Sequence, residues 1–154
     1  HAAADSSIWY GCRLDAGPPG LGGAIVLGAR SNVQDNSVLT AAAGQRIVIG
    51  ADTTIGHNVT LPACSVGDRC LVGIGSKLGA GTVVRDDVFI AAGATTEPGQ
   101  VLDSGHLYGG QPARPLAPLD ERKRALVMGT IPVYCEYARE LKRQQAARDG
   151  GPAR

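Results

Sequence analysis

The stretch Ile49-Gly50-Ala51-Asp52-Thr53-Thr54-Ile55-Gly56-His57-Asn58-Val59-Thr60-Leu61-Pro62-Ala63-Cys64 places an apolar residue at every sixth position, Ile49, Ile55 and Leu61. A helix would repeat near 3.6 residues and a half-buried strand near 2, so this period means short strands joined by turns. The period extends upstream through Leu27, Val33 and Leu39, and downstream through Val66, Val72, Leu78, Val84 and Ile90. The fifth place of most hexads is small or β-branched (Ser31, Ser37, Thr53, Val59, Ser76, Thr82, Val88, Ala94), and glycine often takes the second. Such a fixed internal period marks a solenoid whose neighbouring coils bury one another's apolar side chains.

Three hexads closing one triangular coil of about 18 residues resemble the left-handed parallel β-helix. The expected fold is therefore an all-β solenoid over residues 1–105, then a linker at 106–118 and a C-terminal helical segment at 119–154. The N-terminal coils should be incomplete, because a β-helix beginning at Ser7-Ile8-Trp9-Tyr10 exposes an edge that proteins normally cover. Residues preceding His1 are the expected cover. Gly17-Pro18-Pro19-Gly20 reads as a turn-rich interruption.

Two irregularities set the register around His57. Between Leu39 and Leu61 lie four residues more than one coil, so Thr40 to Val48 should hold an excursion at a corner. With those four discounted, Leu39 stacks on Leu61 and Thr40 on Pro62, whereas His57 belongs to a different edge. The step from Leu61 to Val66 is one residue short, which re-aims the corner at Pro62 and Cys64.

Past Gly99 the repeat fades. Asp120 is a fitting N-cap for a helix that Gly129 and Pro132 should interrupt, and a second helix is expected from about Val133 to Ala147. Its Val133, Tyr137 and Leu141 fall at i, i+4 and i+8, a stripe expected to lie along the solenoid. The tail from Arg148 to Arg154 is expected to fray.

Composition excludes several classes of function. A net charge of +1 over 154 residues offers neither the basic surface of a nucleic-acid binder nor attraction to anionic lipid. No apolar run is long enough to span a bilayer. The four cysteines, at 12, 64, 70 and 135, show no CxxC spacing and read as buried reduced thiols. His1 and His106 have no partner pattern and read as surface or turn residues.

The pieces Ile8-Trp9-Tyr10-Gly11-Cys12, Leu27-Gly28-Ala29-Arg30-Ser31-Asn32-Val33-Gln34-Asp35-Asn36-Ser37-Val38-Leu39, Ile55-Gly56-His57, Cys64-Ser65-Val66-Gly67-Asp68-Arg69-Cys70-Leu71-Val72-Gly73 and Leu107-Tyr108-Gly109-Gly110-Gln111-Pro112-Ala113 together resemble the gamma-class carbonic anhydrase family. The resemblance implies a trimer of β-helices with C-terminal helices alongside. It also implies zinc or another divalent metal between subunits, held by two histidines of one chain and one of its neighbour. Three imidazoles leave a fourth position where bound water loses a proton near neutral pH.

Carried onto this chain, the first of those histidines is Thr40, the second is retained as His57, and the third is Pro62. Proline has no side-chain donor, and a neutral threonine hydroxyl is a poor zinc ligand. The family's Arg-Gly-Asp motif is displaced in Arg13-Leu14-Asp15, and its Gly-Asn-Pro-Ala asparagine is Gln111. Gln34, Asp35 and Tyr108 match positions that line the site or hold the interface.

The expectation is a non-catalytic, gamma-carbonic-anhydrase-like subunit that binds no metal by itself. Beside a paralogue that keeps its histidines, His57 could complete a zinc site in trans. The resemblance places such chains with membrane-arm subunits of mitochondrial respiratory complex I, on the matrix side of the inner membrane. Two alternatives remain: a bacterial cytoplasmic homotrimer, and a hexapeptide-repeat acyltransferase in which His57 is the only candidate base.

Overall fold

In the computed structural model, which describes residues 1–149, the chain winds into five triangular coils. The first comprises β1 (Ser7–Ile8), β2 (Arg13–Asp15) and β3 (Ala24–Leu27), and the second β4 (Asn32–Val33), β5 (Val38–Thr40) and β6 (Arg46–Ile49). The third comprises β7 (Thr54–Ile55), β8 (Thr60–Pro62) and β9 (Ser65–Val66). The fourth and fifth are β10 (Leu71–Val72) with β11 (Val83–Val84) and β12 (Phe89–Ile90) with β13 (Val101–Leu102), each using an isolated bridge residue, Lys77 or Thr95, on its middle face. Two further strands follow, β14 (His106–Gly110) and β15 (Ala113–Pro118), and then α1 (Glu121–Met128) and α2 (Thr130–Asp149).

Like strands stack in parallel register into three sheets. The first face runs β1-β4-β7-β10-β12-β14, the second β2-β5-β8 and the third β3-β6-β9-β11-β13. This is the hexapeptide-repeat left-handed β-helix. Every hexad leader from Leu27 to Ile90 lies in the buried core, because the inward side chain of each two-residue strand meets its equivalent in the adjacent coils. The fifth-place residues are buried as well, and their hydroxyls staple one coil to the next. Ser31 Oγ donates to Gly50 O at 2.6 Å, Ser37 Oγ to Gly56 O at 2.8 Å and Thr53 Oγ1 to Gly67 O at 2.7 Å. A small hydroxyl suits these corners because it fits inside the turn and satisfies a carbonyl that would otherwise be buried unpaired.

The expected excursion lies at the corner after the second face. Residues 41–45 bulge there, and residues 16–23, which include the Gly17-Pro18-Pro19-Gly20 turn, bulge above them in the first coil. The two loops are tied by Ala41 N–H to Asp15 O and Gly44 N–H to Leu21 O, both 2.8 Å.

At the corner after the third face the left-handed residue of successive coils is charged, with alternating sign: Asp5, Arg30, Asp52, Arg69 and Asp87 all have φ of 54–55°. Non-glycine residues seldom hold this conformation, and here they form a ladder of ion pairs. Arg30 pairs with Asp52, and Arg69 with Asp87 at 3.0 Å. The same ladder fastens the helices, through Arg124 to Asp87 and Arg139 to Asp5, both 2.9 Å.

The C-terminal segment departs from expectation in three respects. Residues 106–118 are not a linker: β14 completes the first face and β15 pairs antiparallel to it. Asp120 does N-cap α1, accepting the Lys123 N–H at 2.8 Å, but α2 begins at Thr130, before Pro132. Pro132 falls in the first turn of α2, where its missing N–H costs nothing. Finally, Val133, Tyr137 and Leu141 are exposed, while Ile131 and Cys135 are buried. The helix thus turns its 131, 134, 135, 138 stripe to the solenoid. Of the tail expected to fray, Arg148 and Asp149 are helical, and residues 150–154 lie outside the described residues. Among the described residues no helix is long and apolar enough to cross a membrane.

Candidate functional site

Two corners of the coil carry the residues that matter. β7 ends at Ile55, and the turn Gly56-His57-Asn58 leads into β8, so His57 sits at the corner after the first face. The turn is fixed from both sides: Asn58 N–H donates to Asp35 O at 3.0 Å, and Gly75 N–H to His57 O at 2.9 Å. That stacking puts Asp35 directly one coil from His57. His57 Nδ1 lies 3.1 Å from Asp35 Oδ2, with the two side chains 37% and 34% exposed. A carboxylate on Nδ1 fixes the ring's orientation and leaves Nε2 as the free nitrogen. Sequence reasoning singled out both residues but missed the pair. The signal was available, since 35 and 57 are separated by the same 22 positions as Leu39 and Leu61.

Beside them Gln34 is buried, with its Nε2 3.3 Å from Asn32 Oδ1. Tyr108 is not at this site. It points inward in register with Ile90, belongs to the core, and accepts the Asp103 N–H at its hydroxyl at 2.8 Å. Its expected role as a lining residue is therefore replaced by a structural one, because an inward position in a strand of the first face cannot also face outward. His106 lies on β14 with Nδ1 2.9 Å from Ser104 O, and His1 is exposed.

Thr40 and Pro62 occupy the corner after the second face. They are register partners, beneath Asp15, which fulfils the predicted stacking and separates them from His57 by the width of the second face. Around them is a shallow hollow of about 390 Å³ lined by Asp15, Thr40, Ala41, Gln45, Pro62 and Ala80. Asp15 is its only carboxylate, and the Gly17 N–H followed by Arg13 holds that carboxyl below its ordinary value. Zinc requires imidazole, thiolate or carboxylate donors, three of them in an open site. This corner supplies one carboxylate, one hydroxyl and a proline, a donor set that does not fit zinc. Among the described residues no group of three histidine, cysteine, aspartate or glutamate side chains comes together.

Two of the four thiols, Cys64 and Cys70, are buried in the core of the solenoid. Burial pushes Cys64 and Cys70 up to about 12, and among the described residues all four cysteines are free.

No family model matches the chain. It is 34% identical over 144 residues to "Gamma carbonic anhydrase 1, mitochondrial" of Arabidopsis thaliana, covering 90% of this chain and 51% of that protein. It is 41% identical over 108 residues to "Protein YrdA" of Escherichia coli, covering 66% of this chain and 59% of that protein. A solved hexapeptide transferase family protein from Anaplasma phagocytophilum superposes with a TM-score of 0.79 at 32% identity, covering 88% of this chain and 78% of the other. The chain thus spans about half the length of the curated relatives it matches.

Proposed function

The chain belongs to the gamma-class carbonic anhydrase family of hexapeptide-repeat proteins, and on that premise we propose that it is a non-catalytic subunit of a trimer of related chains. The observation that carries this reading is the register pair Thr40–Pro62. One corner presents a hydroxyl and a ring without a donor where a metal site needs two imidazoles.

His57 supports the second half of the proposal. It is held by Asp35 on a different corner from Thr40 and Pro62, so it is offered outward to a neighbour. A paralogue that brings two histidines of its own would find in His57 Nε2 the third. In that assembly His57→Ala should remove metal from the heterotrimer without changing its mass, and unchanged metal content would sink the trans role. The relative named as mitochondrial supports a mitochondrial location; the finer placement proposed, in the carbonic anhydrase domain of complex I on the matrix side of the inner membrane, rests on the family resemblance. The E. coli relative supports a bacterial setting, in which the alternative is a cytoplasmic homotrimer.

One observation favours an enzyme instead. An imidazole oriented by a carboxylate is also a general base, and the solved relative is described as a hexapeptide transferase. Trapping the thiol released from acetyl-coenzyme A separates the readings. Turnover that disappears in His57→Ala would replace the structural role with an acyl transfer.

A further inference from the structure

Residues 121–149 form a strap that touches the solenoid lightly. α1 buries none of its residues, and the 20 residues of α2 bury Ile131 and Cys135 alone. An open groove of about 440 Å³ separates Leu126, Val127 and Tyr134 from Leu71, Phe89 and Leu107 of the first face. Among the described residues, the last backbone hydrogen bond between this end of the chain and the coils is Leu119 N–H to Gly105 O at 2.8 Å, just ahead of α1.

Beyond that bond, three residue pairs make every polar contact between helices and coils among the described residues, and all use rungs of the charged corner. Arg124 Nη1 donates to Asp87 Oδ1 at 2.9 Å. Arg139 donates to Asp5 twice, Nε to Oδ1 at 3.2 Å and Nη2 to Oδ2 at 2.9 Å, and the Cys135 thiol donates to Asp5 O at 3.6 Å. Asp5 and Asp87 are the end rungs of the ladder, four coil steps or about 19 Å apart at the usual strand spacing. The carboxylate between them, Asp52, is taken by Arg30. A strap shifted by one rung would set arginine on arginine, so the alternation of charge fixes where it docks. Undocking strands little charge: Asp87 keeps both bonds from Arg69, at 3.1 and 3.0 Å, and the Arg139 and Asp5 side chains are already 49% and 41% exposed.

We propose that this strap is an ionic latch: it docks through Asp5 and Asp87, and rising ionic strength frees it from the first face while the coils stay wound. Attraction at part-exposed pairs fades as the screening length falls from about 10 Å at ~0.1 M salt to about 3 Å at ~1 M. The coils lack that sensitivity, because a buried apolar core and parallel backbone ladders hold them, and salt does not weaken apolar burial. Release uncovers Phe89, Tyr134 and Cys135, so the device converts ionic conditions into exposure of an apolar face.

Cys135 is the reporter, since it is buried where α2 meets the coils. The test labels the intact chain with N-ethylmaleimide, an uncharged reagent, at fixed pH and reads each cysteine by peptide mass spectrometry. The latch predicts that Cys135 labels about tenfold faster in ~1 M than in ~0.1 M sodium chloride, while Cys12 holds its rate and Cys64 and Cys70 stay protected. The fluorescence of Trp9, whose ring centroid lies 5.7 Å from that of Tyr134, should shift over the same range. Arg139→Gln should speed Cys135 labelling in low salt, and adding Asp5→Asn should speed it no further, because both remove one contact. Arg124→Gln together with Arg139→Gln should abolish the salt response. Arg143→Gln should change nothing, because among the described residues Arg143 pairs only with Glu136 and Glu140 of its own helix. Salt-independent labelling of Cys135, or a salt response that survives loss of both Arg124 and Arg139, would overturn the latch. So would labelling of Cys64 and Cys70 in step with Cys135, since the whole chain would then be opening.

Discussion

Two neighbouring glycines, Gly73 and Gly75, flank the turn below His57, and substitution of each by alanine should have very different effects. Gly73 has ordinary backbone geometry. A Cβ added there would lie 2.5 Å from Ala92 N, 2.6 Å from Ile90 O and 2.7 Å from Ala91 C. All three atoms are backbone of the next coil and cannot rotate aside. Restoring ordinary contact, about 3.5 Å, requires the coils to part locally by about 1 Å. The Gly73 N–H to Ile90 O bond, 2.8 Å long, would then be too long to persist. Overpacking at about 1–3 kcal/mol and one lost backbone bond at about 1 kcal/mol give a total near 2–4 kcal/mol. At Gly75, by contrast, φ is +72° and nothing lies within 4 Å of the added carbon. Alanine there bears only the left-handed penalty of about 1–2 kcal/mol, partly offset by a stiffer unfolded chain. Gly73→Ala should therefore melt roughly 4–8 °C below Gly75→Ala, taking about 2 kcal/mol between them and about 2–4 °C per kcal/mol for a domain of this size. Urea unfolding and thermal melts of the two variants measure this. If Gly75→Ala cost as much as Gly73→Ala, close coil-to-coil contact would not be what restricts that hexad position to glycine.

Three further outcomes follow from the same geometry. Arg69 first, and Arg124 after it, hold the Asp87 carboxyl below its ordinary value of 3.8. A carboxyl depressed in the folded state stabilises above that value and loses its contribution as pH falls through the folded one, so acid should loosen α1, by roughly 1 kcal/mol at this part-exposed site. Hydrogen exchange in α1 at low pH should show the loosening, and Asp87→Asn should abolish its pH dependence. Cys64 and Cys70, both pushed up to about 12, should resist a thiol reagent at about pH 8 until the chain unfolds, whereas half-exposed Cys12 reacts first; peptide mass spectrometry of the labelled chain checks the order. Thr40→His with Pro62→His should give a trimer that retains zinc through filtration, with either single variant metal-poor, and no gain of metal in an intact double-variant trimer would contradict the corner assignment.

The solenoid was legible because period six dictates which side chains point inward, and stacking coils tolerate no other choice. The same arithmetic stacks Thr40 on Pro62, since only the length of the excursion at 41–45 has to be discounted. The helices were harder to read. Both the 133, 137, 141 and the 131, 134, 135, 138 stripes have helical spacing, and what selects the second is the ionic anchoring of Arg124 and Arg139 to Asp87 and Asp5. Those anchors are written in the chain at the coil period, as alternating charges at 30, 52, 69 and 87, but a search for hydrophobic repeats passes over them. The hairpin at 106–118 was missed because its outer strand contains two prolines, Pro115 and Pro118, which are tolerated at an edge but weaken any strand signal. At the candidate site, His57 and Asp35 were each visible and their pairing was not, because it depends on stacking across coils rather than on proximity in sequence.

The most direct test of the central claim is native mass spectrometry of the purified chain, alone and together with related three-histidine chains, reading mass and bound metal in one spectrum. The account predicts a metal-free particle for this chain alone, and a metal-bearing heterotrimer when the related chains are present. A homotrimer of this chain alone that carries stoichiometric zinc would contradict it, because the corner built from Thr40 and Pro62 would then hold a metal that its donors do not fit.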